Sequence, residues 1–208
     1  VGPHFLEGEL AMPSEAEGLV IFAHGSGSSH LSPRNRHVAR VLRDAGCATL
    51  LADLLTEREE AEDLITGRLR FDIDFLAGRL ELLTQWALRH PACSELRLGY
   101  FGSSTGGAAA LVAAAREGAE ISAVVSRGGR PDLAGEALPC VDAPTLLIVG
   151  GEDDVVLELN RRALAQLRCE KKLEIVPGAT HLFEEPGALD EVARLAAEWF
   201  RRHLACED

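Results

Sequence analysis

Leu96-Arg97-Leu98-Gly99-Tyr100-Phe101-Gly102-Ser103-Ser104-Thr105-Gly106-Gly107-Ala108-Ala109-Ala110-Leu111-Val112 is the stretch whose reading decides the fold. Leu96 to Phe101 reads as a buried strand and Gly106 to Arg116 as an Ala-rich helix. Between them stands Gly102-Ser103-Ser104-Thr105-Gly106, a G-x-S-x-G. So short a passage from strand to helix is a sharp turn that lifts the Ser104 hydroxyl out above the sheet, and its glycines tolerate the backbone such a turn needs. The helix N-terminus behind it favours negative charge that develops during acyl transfer. Ser103 is expected to pack beside the turn. Gly and Ser are common enough that the pattern arises by chance in roughly one chain of this length in ten. The surrounding elements must therefore carry the reading.

They do so by alternation. Upstream, Leu19–Ala23 is a strand, Arg34–Ala45 a helix stopped by Gly46, and Ala48–Ala52 a strand. A mixed, charged stretch follows, then a helix over Ile73–Arg89 that ends before Pro91. Downstream come a strand at Ile121–Val125, an irregular Gly/Pro segment through Ala143, and a strand at Thr145–Val149. A helix over Val156–Leu167, a strand at Leu173–Val176 and a last helix from about Ala188 complete the series. Residues 5–11 offer an antiparallel edge strand. Near-continuous apolar strands alternating with helices mean an α/β fold, a mostly parallel, doubly wound sheet covered on both faces. Ligands in such sheets bind beyond the carboxyl ends of the strands.

A length of 208 residues fits one domain, 1–208. The formal net charge of −12 repels phosphate backbones and excludes nucleic-acid binding by the field of the whole molecule. Runs such as Leu19–Ala23 are too short to span a bilayer, and Val1-Gly2-Pro3-His4-Phe5 lacks the parts of a signal peptide. Without an initiator Met, the start reads as processed, trimmed or cut from a longer chain. Five cysteines (Cys47, Cys93, Cys140, Cys169 and Cys206) have neither framework nor zinc spacing, so reduced thiols in a cytoplasmic protein are expected. No metal and no cofactor is expected.

A serine hydroxyl needs a base, and in this strand–turn–helix context the partners follow in the order Ser, Asp/Glu, His. His181 follows the last strand in Val176-Pro177-Gly178-Ala179-Thr180-His181, at the edge where a base reaches Ser104. His90 and His203 end helices, where the dipole accounts for them, and His4, His30 and His37 precede the turn. Gly150-Gly151-Glu152-Asp153-Asp154-Val155-Val156 follows the preceding strand, and Asp153 is the expected acid, with Glu152 and Asp154 as helix N-terminal charges. The oxyanion hole calls for the Thr105 N–H and one from Ala23-His24-Gly25-Ser26-Gly27-Ser28, for which Ser26 is the candidate. The His24 side chain is expected to anchor that loop.

These four segments, His24–Gly27, Gly102–Gly106, Gly150–Val156 and Gly178–Phe183, resemble the dienelactone hydrolase family of the α/β-hydrolase fold. The resemblance implies hydrolysis of an ester, lactone or thioester through an acyl-enzyme, without a cofactor. Family members proper carry a cysteine at the turn, whereas this chain has Ser104 and no cysteine near it. That departure favours a general carboxylesterase or thioesterase over a dienelactone hydrolase. Some relatives are fused to a phosphoribosyltransferase-like domain, which would account for the missing Met.

With little between Val125 and Thr145 to build a cap, a shallow, open site for a small substrate is expected, in a monomer or homodimer. Arg34, Arg36, Arg127 and Arg130 follow strands and are candidates to hold a substrate carboxylate. Two rival classes remain. Gly25-Ser26-Gly27 with Asp53 is a partial dinucleotide-binding pattern of an oxidoreductase, but His30 stands at its third glycine and Pro33 delays the helix. A non-catalytic binding module on the same scaffold would normally have lost part of the Ser–Asp–His set, and none is missing.

Overall fold

In the computed structural model, which describes residues 5–205, one seven-stranded sheet runs in the order β1-β3-β2-β4-β5-β6-β7. The strands are β1 (Gly8–Ala11), β2 (Gly18–Ala23), β3 (Cys47–Ala52), β4 (Arg97–Ser103), β5 (Ile121–Arg127), β6 (Thr145–Gly150) and β7 (Lys171–Val176). All pairings are parallel except β1 on β3, which is antiparallel, as expected for residues 5–11. The helices are α1 (Pro33–Asp44), α2 (Glu57–Thr66), α3 (Ile73–Ala87), α4 (Thr105–Glu117), α5 (Asp154–Gln166) and α6 (Ala188–Leu204).

Strand periodicity divides the core into two layers. Leu19, Ile21 and Ala23 of β2 face one side, with Leu98 and Tyr100 of β4, and pack on α3 and the alanines of α4. Val20 and Phe22 face the other, with Phe101, and pack on α1 and α6. Phe22 and Phe101 meet with ring centroids 4.9 Å apart. A Cβ on Gly99 would lie 2.8 Å from the Phe200 ring, so that glycine lets α6 lie down on β4. On the opposite layer the Tyr100 hydroxyl is satisfied by Thr84 at 2.5 Å. The four described cysteines are free thiols, and Cys206 and His4 lie outside the described residues. No described helix is long and apolar enough to cross a membrane.

Two segments differ from expectation. The charged stretch after β3 contains α2, opened by a capping box of Thr56 with Glu59 and closed by Gly67 in the left-handed region at φ 62°. Its Leu64 and Ile65 are 73 and 89% exposed, so it lacks the amphipathic stripe by which helices are read. Charge holds it instead: Glu59 accepts a hydrogen bond from Arg79 of α3, and the buried Asp63 is paired with Arg70 in a 3-10 turn, Leu69–Phe71. The irregular segment is a 3-10 run, Pro131–Cys140, kinked at Gly135 and packed against α4 and α5.

The parallel strands all end on the same edge, and α4 leaves that edge through a steric bottleneck. A Cβ on Gly106 would lie 2.2 Å from the Ala23 carbonyl oxygen and 2.6 Å from that of His24, with only backbone to give way. Gly106→Ala is therefore expected to destabilise the protein by about 3 kcal/mol or more, in the upper range for overpacking. Gly78→Ala, inside α3 with nothing within 4 Å of the new methyl, is expected to stabilise by roughly 0.5–1 kcal/mol. Urea denaturation of both variants measures the contrast, and similar midpoints for the two would contradict it.

Candidate active site

Ser104 sits between β4 and α4 with φ 51° and ψ −120°, one of two described non-glycine residues with positive φ. Such a backbone is strained for serine and costs on the order of 1–3 kcal/mol. Hydrogen bonds hold it in place: its N–H donates to the Arg127 carbonyl (3.3 Å), and its carbonyl accepts from Gly107 (3.0 Å) and Arg130 (3.1 Å). A Cβ on Gly102 would lie 2.4 Å from the Gly106 carbonyl oxygen, so both glycines of the motif are set by close approach. Ser103 is buried, with its hydroxyl donating to Asn35 Oδ1 at 3.1 Å.

Two further loops meet at Ser104. Asp153 stands at the N-cap position of α5 but makes no side-chain cap hydrogen bond there, and its Oδ2 lies 2.6 Å from His181 Nδ1. Because a carboxylate only accepts, Nδ1 carries the proton and Nε2 is left as an acceptor. Asp154 is the first residue of α5. The two loops are stitched by backbone: Glu152 N–H donates to the Ala179 carbonyl and Gly151 N–H to that of Val176. A Cβ on Gly150 would lie 2.3 Å from the Ala179 oxygen. Ser104 and His181 line one cavity of about 250 Å³, together with Gly25, Ser26, Ser103 and Arg127.

The loop after β2 closes the site from the other side. His24 is buried; its Nε2 accepts the Leu54 N–H (3.0 Å) and its Nδ1 donates to the Gly25 carbonyl (3.0 Å). Gly25 lies so close to the turn that a Cβ there would be 3.1 Å from that of Ser104. Thr105 is the first residue of α4, so its N–H has no intrahelical partner. The Ser26 N–H differs from expectation, because it donates to Thr105 Oγ1 at 3.0 Å. It reaches an oxyanion only by sharing that hydrogen or after the Thr105 hydroxyl turns away.

The four arginines separate. Arg36 reaches outward to Glu9 (2.7 Å), and Arg130 closes on Asp132 in a bidentate pair (2.9 and 2.7 Å), so neither lines the cavity. Arg34 and Arg127 do line it. Arg34 lies in the first turn of α1, and β5 runs on past Val125 to make Arg127 its last residue, not a loop residue. Asn35 and Ser32, the N-cap of α1, also line the cavity and were missed, although Ser32-Pro33 is a helix-start signal in the sequence. A smaller cavity of about 90 Å³ lies beneath α2, between Leu55, Leu64, Arg70 and Leu76 and the Gly25–Ser28 loop. The covering element of this edge therefore comes from residues 57–71.

Asp53, the acid of the dinucleotide pattern, is taken up by His30, whose N–H (2.6 Å) and Nδ1 (2.8 Å) engage its two oxygens. Glu7 joins them in a group of three metal-type side chains at the β1 edge.

The model of the Dienelactone hydrolase family matches residues 6–205. A dienelactone hydrolase from Anabaena variabilis ATCC 29413 is similar in structure, with a TM-score of 0.97 and 60% identity, covering 98% of this chain and 94% of that one. Est1E from Butyrivibrio proteoclasticus shares the fold, with a TM-score of 0.79 at 20% identity over 95% of this chain and 94% of its own. Proteins of two Mycobacterium tuberculosis strains, CDC 1551 / Oshkosh and ATCC 25618 / H37Rv, are each 57% identical over 203 residues, or 98% of this chain. Both are named putative phosphoribosyl transferase, and the chain spans only 45% of their length.

Burial holds the His24 imidazole below its usual value of 6.5, against smaller opposing effects of the Gly25 carbonyl and Asp53. Since its folded value is depressed, protonation favours the unfolded chain, and stability falls as pH drops below about 6.5. Two-dimensional NMR of the imidazole nitrogens should show His24 staying neutral, with its proton on Nδ1, to lower pH than an exposed histidine of the same protein. Protonation of His24 before the exposed histidines would contradict the buried-anchor geometry.

Proposed function

Because the chain belongs to the dienelactone hydrolase family, we propose that it is a hydrolase of the serine type, cleaving a small carboxylic ester, lactone or thioester. The observation that carries this reading is the strained Ser104 backbone in the same cavity as an imidazole already oriented by a carboxylate at 2.6 Å.

In this mechanism Ser104 Oγ attacks the acyl carbon while His181 Nε2 takes the hydroxyl proton, and Asp153 steadies the resulting imidazolium. Negative charge forms on the carbonyl oxygen and is met by the Thr105 N–H at the N-terminus of α4. Ser26 contributes its N–H once Thr105 Oγ1 yields or shares it. Collapse of the tetrahedral intermediate breaks the acyl–oxygen or acyl–sulfur bond, and the leaving group takes the proton from His181. Water, deprotonated by the same nitrogen, then attacks the acyl-enzyme and releases the acid with Ser104 restored. A small substrate suits a cavity of about 250 Å³.

Mass spectrometry after treatment with a fluorophosphonate should find the adduct on Ser104 and not on Ser103. Asp153→Asn should lower kcat by on the order of 10³–10⁴-fold, whereas Asp154→Asn changes it less than about threefold. An adduct on Ser103, or the reverse order of the two aspartates, would overturn the assignment.

A further inference from the structure

The hydrolytic steps leave a buried cation in the cavity without a task. Arg127, at the end of β5, is only 7% exposed, a depth that arginine rarely reaches without a counter-charge. Its Nε has no hydrogen-bond partner among the described residues. Nη2 makes one long contact, 3.4 Å, to Asn35 Oδ1, an oxygen already accepting from Ser103. The Phe183 ring stands 5.9 Å from the guanidinium carbon. Burial first, then the like charge of Arg34, pushes Arg127 down to about 10, so it remains cationic at neutral pH.

The surroundings of this cation are as unusual as its depth. The chain has 33 acidic and 21 basic residues, yet the cavity holding Ser104 is lined by two arginines and, among the described residues, by no carboxylate. Arg34 touches Glu184 at 3.1 Å on the outer side, where that carboxylate is 65% exposed, and such a surface pair yields readily. Ser32 caps α1 at the same wall and Asn35 follows in its first turn, so the positive end of that helix dipole also faces the cavity region. The Ser104 N–H bond to the Arg127 carbonyl ties the Arg127 backbone to that of the nucleophile.

We propose that Arg127 and Arg34 form a subsite for a phosphate group carried by the ester that Ser104 attacks. The part that concerns hydrolysis rests on the reading of Ser104 given above; the anion site does not. Two guanidinium groups offer more donors than two carboxylate oxygens use and suit the three oxygens of a phosphate. Phosphate is therefore held more tightly than a carboxylate.

Two measurements separate the claims. Calorimetric titration of Ser104→Ala protein with inorganic phosphate and with succinate reads anion binding without turnover. Saturable binding is expected, weakened about tenfold by Arg127→Met, as for loss of a charge-assisted pair, and retained in part by Arg127→Lys. Arg36→Met, at the exposed Glu9 pair, leaves it unchanged. The second measurement compares kcat/KM for matched aryl esters with neutral, carboxylate-bearing and phosphate-bearing acyl groups. Arg127→Met should raise KM for the anionic esters at least fivefold more than for the neutral one, and Arg34→Met should do so even if the buried variant folds poorly. Phosphate binding that depends on Arg127 without turnover of any ester would keep the subsite and discard the serine-hydrolase reading. Equal effects on charged and neutral esters, or no saturable binding of either anion, would overturn the subsite.

Discussion

Gly106 passes the Ala23 and His24 carbonyls at a distance that admits no side chain, and much of the site's geometry follows from that contact. It holds α4 against the end of β2, which brings the Gly25–Ser26 loop onto Ser104 and sets the N-terminus of α4 beside it. The positive φ of Ser104 is the conformational cost of so tight a passage. Three backbone hydrogen bonds, to Arg127, Gly107 and Arg130, over-determine that backbone and keep the strain where it is.

A second close approach does for the histidine loop what the first does for the serine. Gly150 lies against the Ala179 carbonyl, and Glu152 N–H bonds that same oxygen, so the loops bearing Asp153 and His181 are bound together. Gly128 lies under His181, 3.2 Å from its carbonyl oxygen when a Cβ is added, which ties the same piece to the end of β5. Each side chain of the site is thus positioned by backbone contacts at the ends of adjacent parallel strands. The open edge of such a sheet supplies the backbone frame on which the Asp153–His181 pair is set.

The sheet was legible because its inner strands, β2 to β6, are buried on both faces and its helices, α2 apart, bury apolar residues. Strand ends were less so: β4 and β5 run on to Ser103 and Arg127 because pairing with their neighbours continues after the apolar run stops. α2 escaped because charge and a capping box, not an apolar face, hold it. The spacing of Ser104, Asp153 and His181 along the chain brought the three to one edge, since each follows a strand of the same parallel sheet. Other features depend on tertiary contact alone. No sequence pattern says that Thr105 turns its hydroxyl onto Ser26, or that Arg130 finds Asp132 while Arg127 finds no acid among the described residues. Four arginines equivalent by position are separated only by which carboxylates the fold brings beside them.

The attachment of α2 gives the small cavity beneath it a character of its own. Burial alone would raise the Asp63 carboxyl, but hydrogen bonds from Arg70 and Leu69 outweigh it and hold it below the usual range. With Leu64 and Ile65 turned to water, α2 contributes little to the apolar core, and its ties to α3 and to the 3-10 turn are ionic. Its opening is then governed by proton and salt activity, not by the free energy that melts the sheet. In hydrogen exchange such a segment behaves as a separate cooperative unit, shedding protection in acid while β2 and β4 remain closed.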